Sequence, residues 1–343
     1  MLTRRTFLAS SAVTLLQQTS LPPAPTTRPN IAQIDHDRIL AAATKALTQP
    51  PAPTPDLQSD QFLAFTLAVP ALAAAVLIDS ANAQQYAAKA AAHLDAWFLN
   101  PQTRLAAEPS LTAFEPLLDR ASLAETAVAL PFLQLDAILL ADLKLWFQKY
   151  LAYLTTSRTA LLARDAKDHH ASSWLLQVSA FAALTANDDL LAEQRHRFKT
   201  STLRTQVDYQ GIFRNEITNP NPFRYSLYNL DLLAGAAVLL TTRFESIWDY
   251  ELQDGPGMRS VIARHAFYIA NREKWPYPSD QSKFNQLPGR RPALVFAGRA
   301  YAEADYITLW RTLSPDPADP VILRTFPIRQ PILWLTQPKP PII

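Results

Sequence analysis

Only six glycines break up a chain of 343 residues, whereas prolines number 28. Tight two-residue hairpins and glycine-rich phosphate cradles both need backbone that glycine supplies most readily. So little glycine argues against Rossmann and P-loop folds, and leaves helices joined by stiff, proline-marked loops. The apolar pattern agrees. Within residues 81–98, Tyr86, Ala90, Leu94 and Trp97 share one helical face. Within 137–151, Leu139, Leu143, Trp146 and Tyr150 do the same, with Lys144 and Lys149 outside the stripe. Trp174, Val178 and Phe181 line one side of 171–184, and 227–240 and 258–269 are further apolar-periodic stretches. No run alternates with period two for long, although 206–213 has room for a short strand. The expectation is an all-α, single-domain fold of stacked helical hairpins, curved into an array or toroid with a concave inner face.

The net charge is +2 and charged residues make up 18% of the chain, so no broad basic field exists to attract nucleic acid. A few local arginines can still hold an anionic ligand. Cysteine is absent, which excludes disulfides, thiolate nucleophiles and sulfur-ligated zinc. At the N-terminus, Arg4-Arg5-Thr6-Phe7-Leu8 precedes a short apolar run over 9–16. That is the layout of a twin-arginine export signal. The bland alternative is a chance arginine pair on an ordinary helix. The run is about half the length a bilayer requires. Residues 1–30 therefore read as signal and linker and 31–343 as the domain. The mature protein is expected in the periplasm or outside the cell, without a membrane span. Proline-rich stretches at 20–33 and 50–60 read as linkers.

Two segments carry residues suited to chemistry. In Lys167-Asp168-His169-His170-Ala171-Ser172-Ser173-Trp174, adjacent histidines stand just ahead of a helical run. They can cap the helix, bind a metal, or exchange protons near neutral pH. Zinc asks for three or four ligands, and His36, His93, His196 and His265 form no complementary i,i+4 pair, so no metal is expected. In Asn219-Pro220-Asn221-Pro222-Phe223-Arg224-Tyr225-Ser226-Leu227-Tyr228, prolines stiffen a loop and Tyr225 opens the next helix. An adjacent arginine favours the phenolate. Alternatively, Tyr225 and Tyr228 are aromatic core and Arg224 is solvated. Asp188-Asp189 and the Glu303/Asp305 pair lack the marks of a glycosidase pair. Ser172 and Ser173 lack a nucleophile elbow. Glu245, Asp249 and Asp254 fit no calcium loop.

At these segments the sequence resembles the alginate lyase family of polysaccharide lyases. The family's Asn-Asn-His element ahead of a helix with a following tryptophan corresponds to Asp168-His169-His170 and Trp174 through Phe181. Gln206, Gly211, Phe213, Glu216 and Tyr225-Ser226-Leu227 keep the spacing of the family's next stretch. Downstream, Asp254-Gly255-Pro256-Gly257-Met258-Arg259, Lys274-Trp275-Pro276-Tyr277-Pro278, residues 292–298 and Pro327-Ile328-Arg329-Gln330-Pro331 also look like it. The likeness runs over roughly 60–335. It implies an α/α toroid, an incomplete barrel of helical hairpins with a glycan cleft, needing no cofactor. It also implies β-elimination on an anionic uronate polymer, with His170 as base or neutralising partner and Tyr225 as acid. His169, Arg224, Asn219 and Trp174 would bind substrate.

The chain also departs from the pattern. Asn219 stands where the family's loop arginine belongs, and His169 where an asparagine normally holds the uronate carboxylate. Aromatic segments common after the first helix are replaced by Pro50 to Gln61, and a glycine-rich loop by Phe114 to Arg120. A catalytically impaired glycan-binding protein on the same scaffold is the alternative function.

Overall fold

The computed structural model describes residues 30–251 and 255–336. The expected export signal and Asp254 fall outside them. Among the described residues every regular element is helical. The region read as a possible strand contributes one isolated antiparallel bridge, Val207 to Phe213. Gly211 makes that turn possible: its φ is +84°, and a Cβ there would lie 2.6 Å from the Ser260 carbonyl oxygen.

The principal helices are α1 (His36–Thr48), α2 (Asp60–Ile78), α3 (Ala83–Leu94), α4 (Leu123–Ala129), α5 (Ala137–Thr156) and α6 (His169–Leu184). They continue with α7 (Asp188–Arg197), α8 (Pro222–Leu240), α9 (Met258–Ala270), α10 (Pro292–Ala300), α11 (Ala304–Thr312) and α12 (Pro331–Leu335). Their contacts sort them into two layers. α2, α4, α6, α8 and α10 touch in that order, and short α12 packs against α10, α2 and α4, bringing the inner ring round. α1, α3, α5, α7, α9 and α11 lie outside against their sequence neighbours. The result is an α/α toroid of helical hairpins, as the periodicity and the resemblance both implied.

Sequence pattern explains the sorting. Outer helices carry a stripe: Tyr86, Ala90, Leu94 and Trp97 are all buried, as are Leu143, Trp146 and Tyr150. Inner helices are apolar on most faces, and α2 is the extreme case, with mean hydropathy of 2.2 over its most apolar stretch. By length and composition α2 would cross a membrane; instead, 67% of that stretch is buried within the fold. Because apolar residues surround the whole helix, it has no stripe to betray its period. Ser59 caps its N-terminus, accepting from the Phe62 amide at 3.2 Å. Rings of Phe65, Trp97, Phe98, Trp146 and Phe147 then link α2 to the outer layer, with neighbouring centroids 4.5–5.6 Å apart.

One core histidine yields a pH prediction. His265 on α9 is fully buried, donates from Nδ1 to the Val261 carbonyl at 2.8 Å, and lies 4.9 Å from the Phe213 ring. Burial lowers it to about 4. Between its ordinary value and that one, the unfolded chain takes a proton that the folded chain refuses. Stability is therefore lost as the pH falls through this window, by about 3 kcal/mol from this group. Denaturant melts at pH 7 and pH 4 should show His265→Leu losing less stability on acidification than the parent. Equal losses would refute the assignment.

Candidate functional site

The two candidate segments meet at the N-terminal ends of inner helices α6 and α8. Asp168 caps α6, accepting from the His170 amide at 3.0 Å, and the same oxygen holds His170 Nδ1 at 2.9 Å. Burial works to raise the Asp168 carboxyl, but the hydrogen bond and charge of His170 outweigh it, and the group titrates below its ordinary value. His169 is held by Glu216. Its amide donates to Oε1 at 2.7 Å, and its Nδ1 lies 3.1 and 3.0 Å from the two carboxylate oxygens. Glu216 is itself buried and accepts from Asn229 Nδ2 at 2.9 Å, while Asn229 also donates to Gln206 Oε1 at 2.8 Å. One carboxylate thus ties the start of α6 to the second turn of α8.

The start of α8 is fixed from elsewhere. Asn221 makes no side-chain cap; Asp280, far along the chain, accepts from the Phe223 amide at 2.8 Å and the Arg224 amide at 3.1 Å. This presents Arg224 and Tyr225 from the first turn. The Tyr225 ring stacks on His169 with centroids 4.6 Å apart, and His169 lies 4.3 Å from His170. Phe114 meets His170 edge-on at 5.2 Å. His170, His169 and Tyr225 therefore form a continuous row of rings, with imidazole and phenol converging as the sequence suggested. The imidazole in direct contact with the phenol is His169; His170 is the more exposed of the pair. Since each Nδ1 faces a carboxylate, Nε2 is the nitrogen left for a ligand.

Tyr225 borders a cavity of about 240 Å³, also lined by Arg224, Tyr228, Glu125, Arg324 and Arg329. The structure separates the two tyrosines: Tyr228 is core at 2% exposed, whereas Tyr225 is only half-buried. Arg224 is buried, not solvated; its Nε and Nη1 have no hydrogen-bond partner, and its guanidinium lies 5.5 Å from the Tyr225 ring.

The two histidines belong to the row of rings without lining the cavity, and two expected ligand-binding residues belong to neither. Trp174 is 3% exposed, donates from Nε1 to the Leu154 carbonyl at 2.9 Å, and packs toward outer helix α5. Five positions along a helix turn a side chain about 140° away from His169, which explains its absence from the cavity. Asn219 turns inward on its own loop, accepting from the Asn221 amide at 3.0 Å, and does not line the cavity. Asp168, His169 and His170 do bring three ligand atoms within 4.8 Å of one another, a grouping compatible with a metal ion. Each imidazole is already engaged by a carboxylate through Nδ1, so the cluster is satisfied without one.

Sequence reasoning gave no role to Glu216, Asn229, Asp280, Glu125 or Arg329. Asp280 carried no signal, because Asn221 is itself a preferred N-cap residue; Glu216 and Gln206 stood out only by their spacing.

The model of a family described as alginate lyase matches residues 32–275. No curated protein matches the sequence. Among solved structures, an alginate lyase from Bacteroides ovatus superposes with a TM-score of 0.71 at 19% identity, covering 85% of this chain and 93% of its own.

Proposed function

Because the chain belongs to the alginate lyase family, we propose that it is a polysaccharide lyase that cleaves a uronate-containing glycan by β-elimination. One observation carries the reading: an imidazole row ends on a half-buried phenol at the edge of a cavity, beside a guanidinium two of whose nitrogens have no hydrogen-bond partner.

β-Elimination needs three things. The uronate carboxylate must be neutralised, the proton α to it removed, and the glycosidic oxygen on the neighbouring carbon protonated as it leaves. Arg224 is suited to the first task, since its guanidinium is preorganised for a carboxylate. His170, with Nδ1–H donated to Asp168, carries its lone pair on Nε2 and is suited to the second. As it takes the proton, the C–H electrons form the new double bond, and the C–O bond breaks. The Tyr225 hydroxyl then passes its proton to the departing oxygen. His169, wedged between the two and anchored by Glu216, sets their spacing and adds a nitrogen toward the same sugar.

The test is direct. Purified protein incubated with alginate and other polyuronates should release an unsaturated uronate, read by its ultraviolet absorbance. Saturated products without the chromophore would point instead to hydrolysis. Retention of polymer without any release would favour non-catalytic glycan binding. The second reading draws on Asn219, which supplies no cation and is folded back on its own loop. The Arg4-Arg5 segment makes the periplasm or the cell exterior the place of action in this proposal.

A further inference from the structure

Distant parts of the chain are bridged across the cavity from Tyr225. The ring order puts the approach to α2 opposite the start of α8, and both line the cavity. There Arg324 donates to the Ser59 carbonyl at 3.3 Å and to Asp60 at 3.0 Å, 265 and 264 positions away. Arg324 follows a short helix, Pro320–Leu323, capped by Asp319, and Lys283 holds Asp319 in turn at 2.6 Å. Beside this bridge stands Asp119, just ahead of α4. Burial raises its carboxyl, and a hydrogen bond from Gln58 works against that rise. Leu57, Gln58, Asp119, Val321, Leu323 and Arg324 thus make one rim, knitted from three segments.

The other acids nearby are engaged in the same enclosure. Glu125 closes the floor: its oxygens accept from the amides of Arg329 (2.8 Å) and Gln330 (2.7 Å) and from Trp334 Nε1 (3.3 Å). Asp316 pairs with Arg38 at 3.6 Å and Arg329 at 3.4 Å, and lines an adjoining cavity of about 490 Å³. Leu63, Leu67, Leu323 and Arg329 line both cavities and stand between them. What remains beside Tyr225 is about 240 Å³. That is the space of about eight waters, room for one sugar ring and not for two. A polymer cut in its interior must run on past the broken bond in both directions, and a rim on one side forbids it. The rim falls in 50–61 and 114–120, the two stretches where the sequence departs from the family's pattern, and in the segment after Asp319.

Resting on the lyase reading, we propose that this rim makes the cavity a blind pocket for the terminal unit of a polyuronate, so that the protein shortens its substrate one sugar at a time. Tyr225 stands at the pocket's edge, so the bond that breaks is the first linkage from the chain end. No water enters the balance. The proton lost from the carbon α to the carboxylate is matched by the one the departing oxygen gains. A chain therefore yields a monosaccharide and a chain one unit shorter, and one of the two carries the new double bond. Arg324 and Asp60 set where the chain is cut and take no part in proton transfer.

The test uses the full-length chain and a pentamer of whichever polyuronate gives the strongest chromophore release. Its first products, resolved by chromatography, should be monosaccharide and tetramer; dimer and trimer as first products overturn the proposal. Arg324→Ala breaks the rim at a bridge whose Asp60 end is exposed, so the fold should tolerate it. That variant should form dimer and trimer from the pentamer, and its loss of polymer viscosity per double bond should rise at least threefold. An Arg324→Ala protein that melts with the parent yet still releases only monosaccharide also overturns the proposal. A last measurement needs no chemistry. Tyr225→Phe is titrated calorimetrically with a short and a long oligouronate from alginate, and should bind one protein per chain at both lengths. Stoichiometry that grows with length, or no binding to either, overturns the pocket. One protein per chain without chromophore release from any polymer would sink the lyase reading and leave the end pocket standing.

Discussion

Tyr225→Phe should lower kcat on the preferred polyuronate by roughly 10²–10⁴-fold, the range in which a positioned general acid contributes. Stability should stay within about 0.5 kcal/mol of the parent, because Tyr225 is only half-buried and the substitution removes no ring atom. The phenyl ring keeps its place against His169, so the imidazole row is undisturbed. Steady-state kinetics by ultraviolet absorbance and a thermal melt of the same preparation check both halves. The comparison with Tyr228 sharpens the test. That ring is core, and burial raises its hydroxyl above the ordinary phenol range, which makes it a poor proton donor. Retained activity in Tyr225→Phe would remove the phenol from the mechanism, whatever its position.

Much of this architecture was legible because helices that pack on one side must show their period. The stripes at 86–97 and 139–150 predicted outer helices, and all of those residues except the half-buried Leu139 are buried in the core. Helix α2 was not legible for the converse reason: enclosed on all sides, it shows only a polar, proline-rich approach followed by a long apolar run. At the site, the sequence named His169, His170, Arg224 and Tyr225, because histidine pairs and an Arg-Tyr step stand out locally. It gave their supports no role. Glu216 holds His169 across 47 positions, and Asp280 caps α8 across 56 or more. A carboxylate in isolation looks like any solvated surface group, and only the fold reveals which amide it faces. Trp174 is the opposite case, since the resemblance implied a substrate-binding role while helical phase sent the ring outward.

The largest stability effect should come from a pair that neither the motifs nor the charge count marked. Asp231 on α8 and Arg291 at the start of α10 are both fully enclosed and joined side chain to side chain. Burial pushes the Asp231 carboxyl up to about 6 and pulls the Arg291 guanidinium down, with each charge limiting the other's shift. Asp231 also accepts from the Ala293 amide at 3.3 Å; Arg291 donates to the Thr325 carbonyl at 3.1 Å and lies 3.7 Å from the Phe326 ring. The pair therefore ties α8 and α10 to the segment leading to Arg329, whose Thr325 and Phe326 line the cavity. Arg291→Met strands a carboxylate in an apolar interior and should cost about 3–5 kcal/mol, measured by urea unfolding near neutral pH. Double replacement, Asp231→Leu with Arg291→Met, should recover most of that loss, because the damage lies in leaving one charge alone. The double variant should still bind polyuronate less well than the parent, since the Thr325 and Phe326 contacts that position the Arg329 segment are gone. A single variant that loses under about 1 kcal/mol would show that water or a neighbouring group can take the missing partner's place.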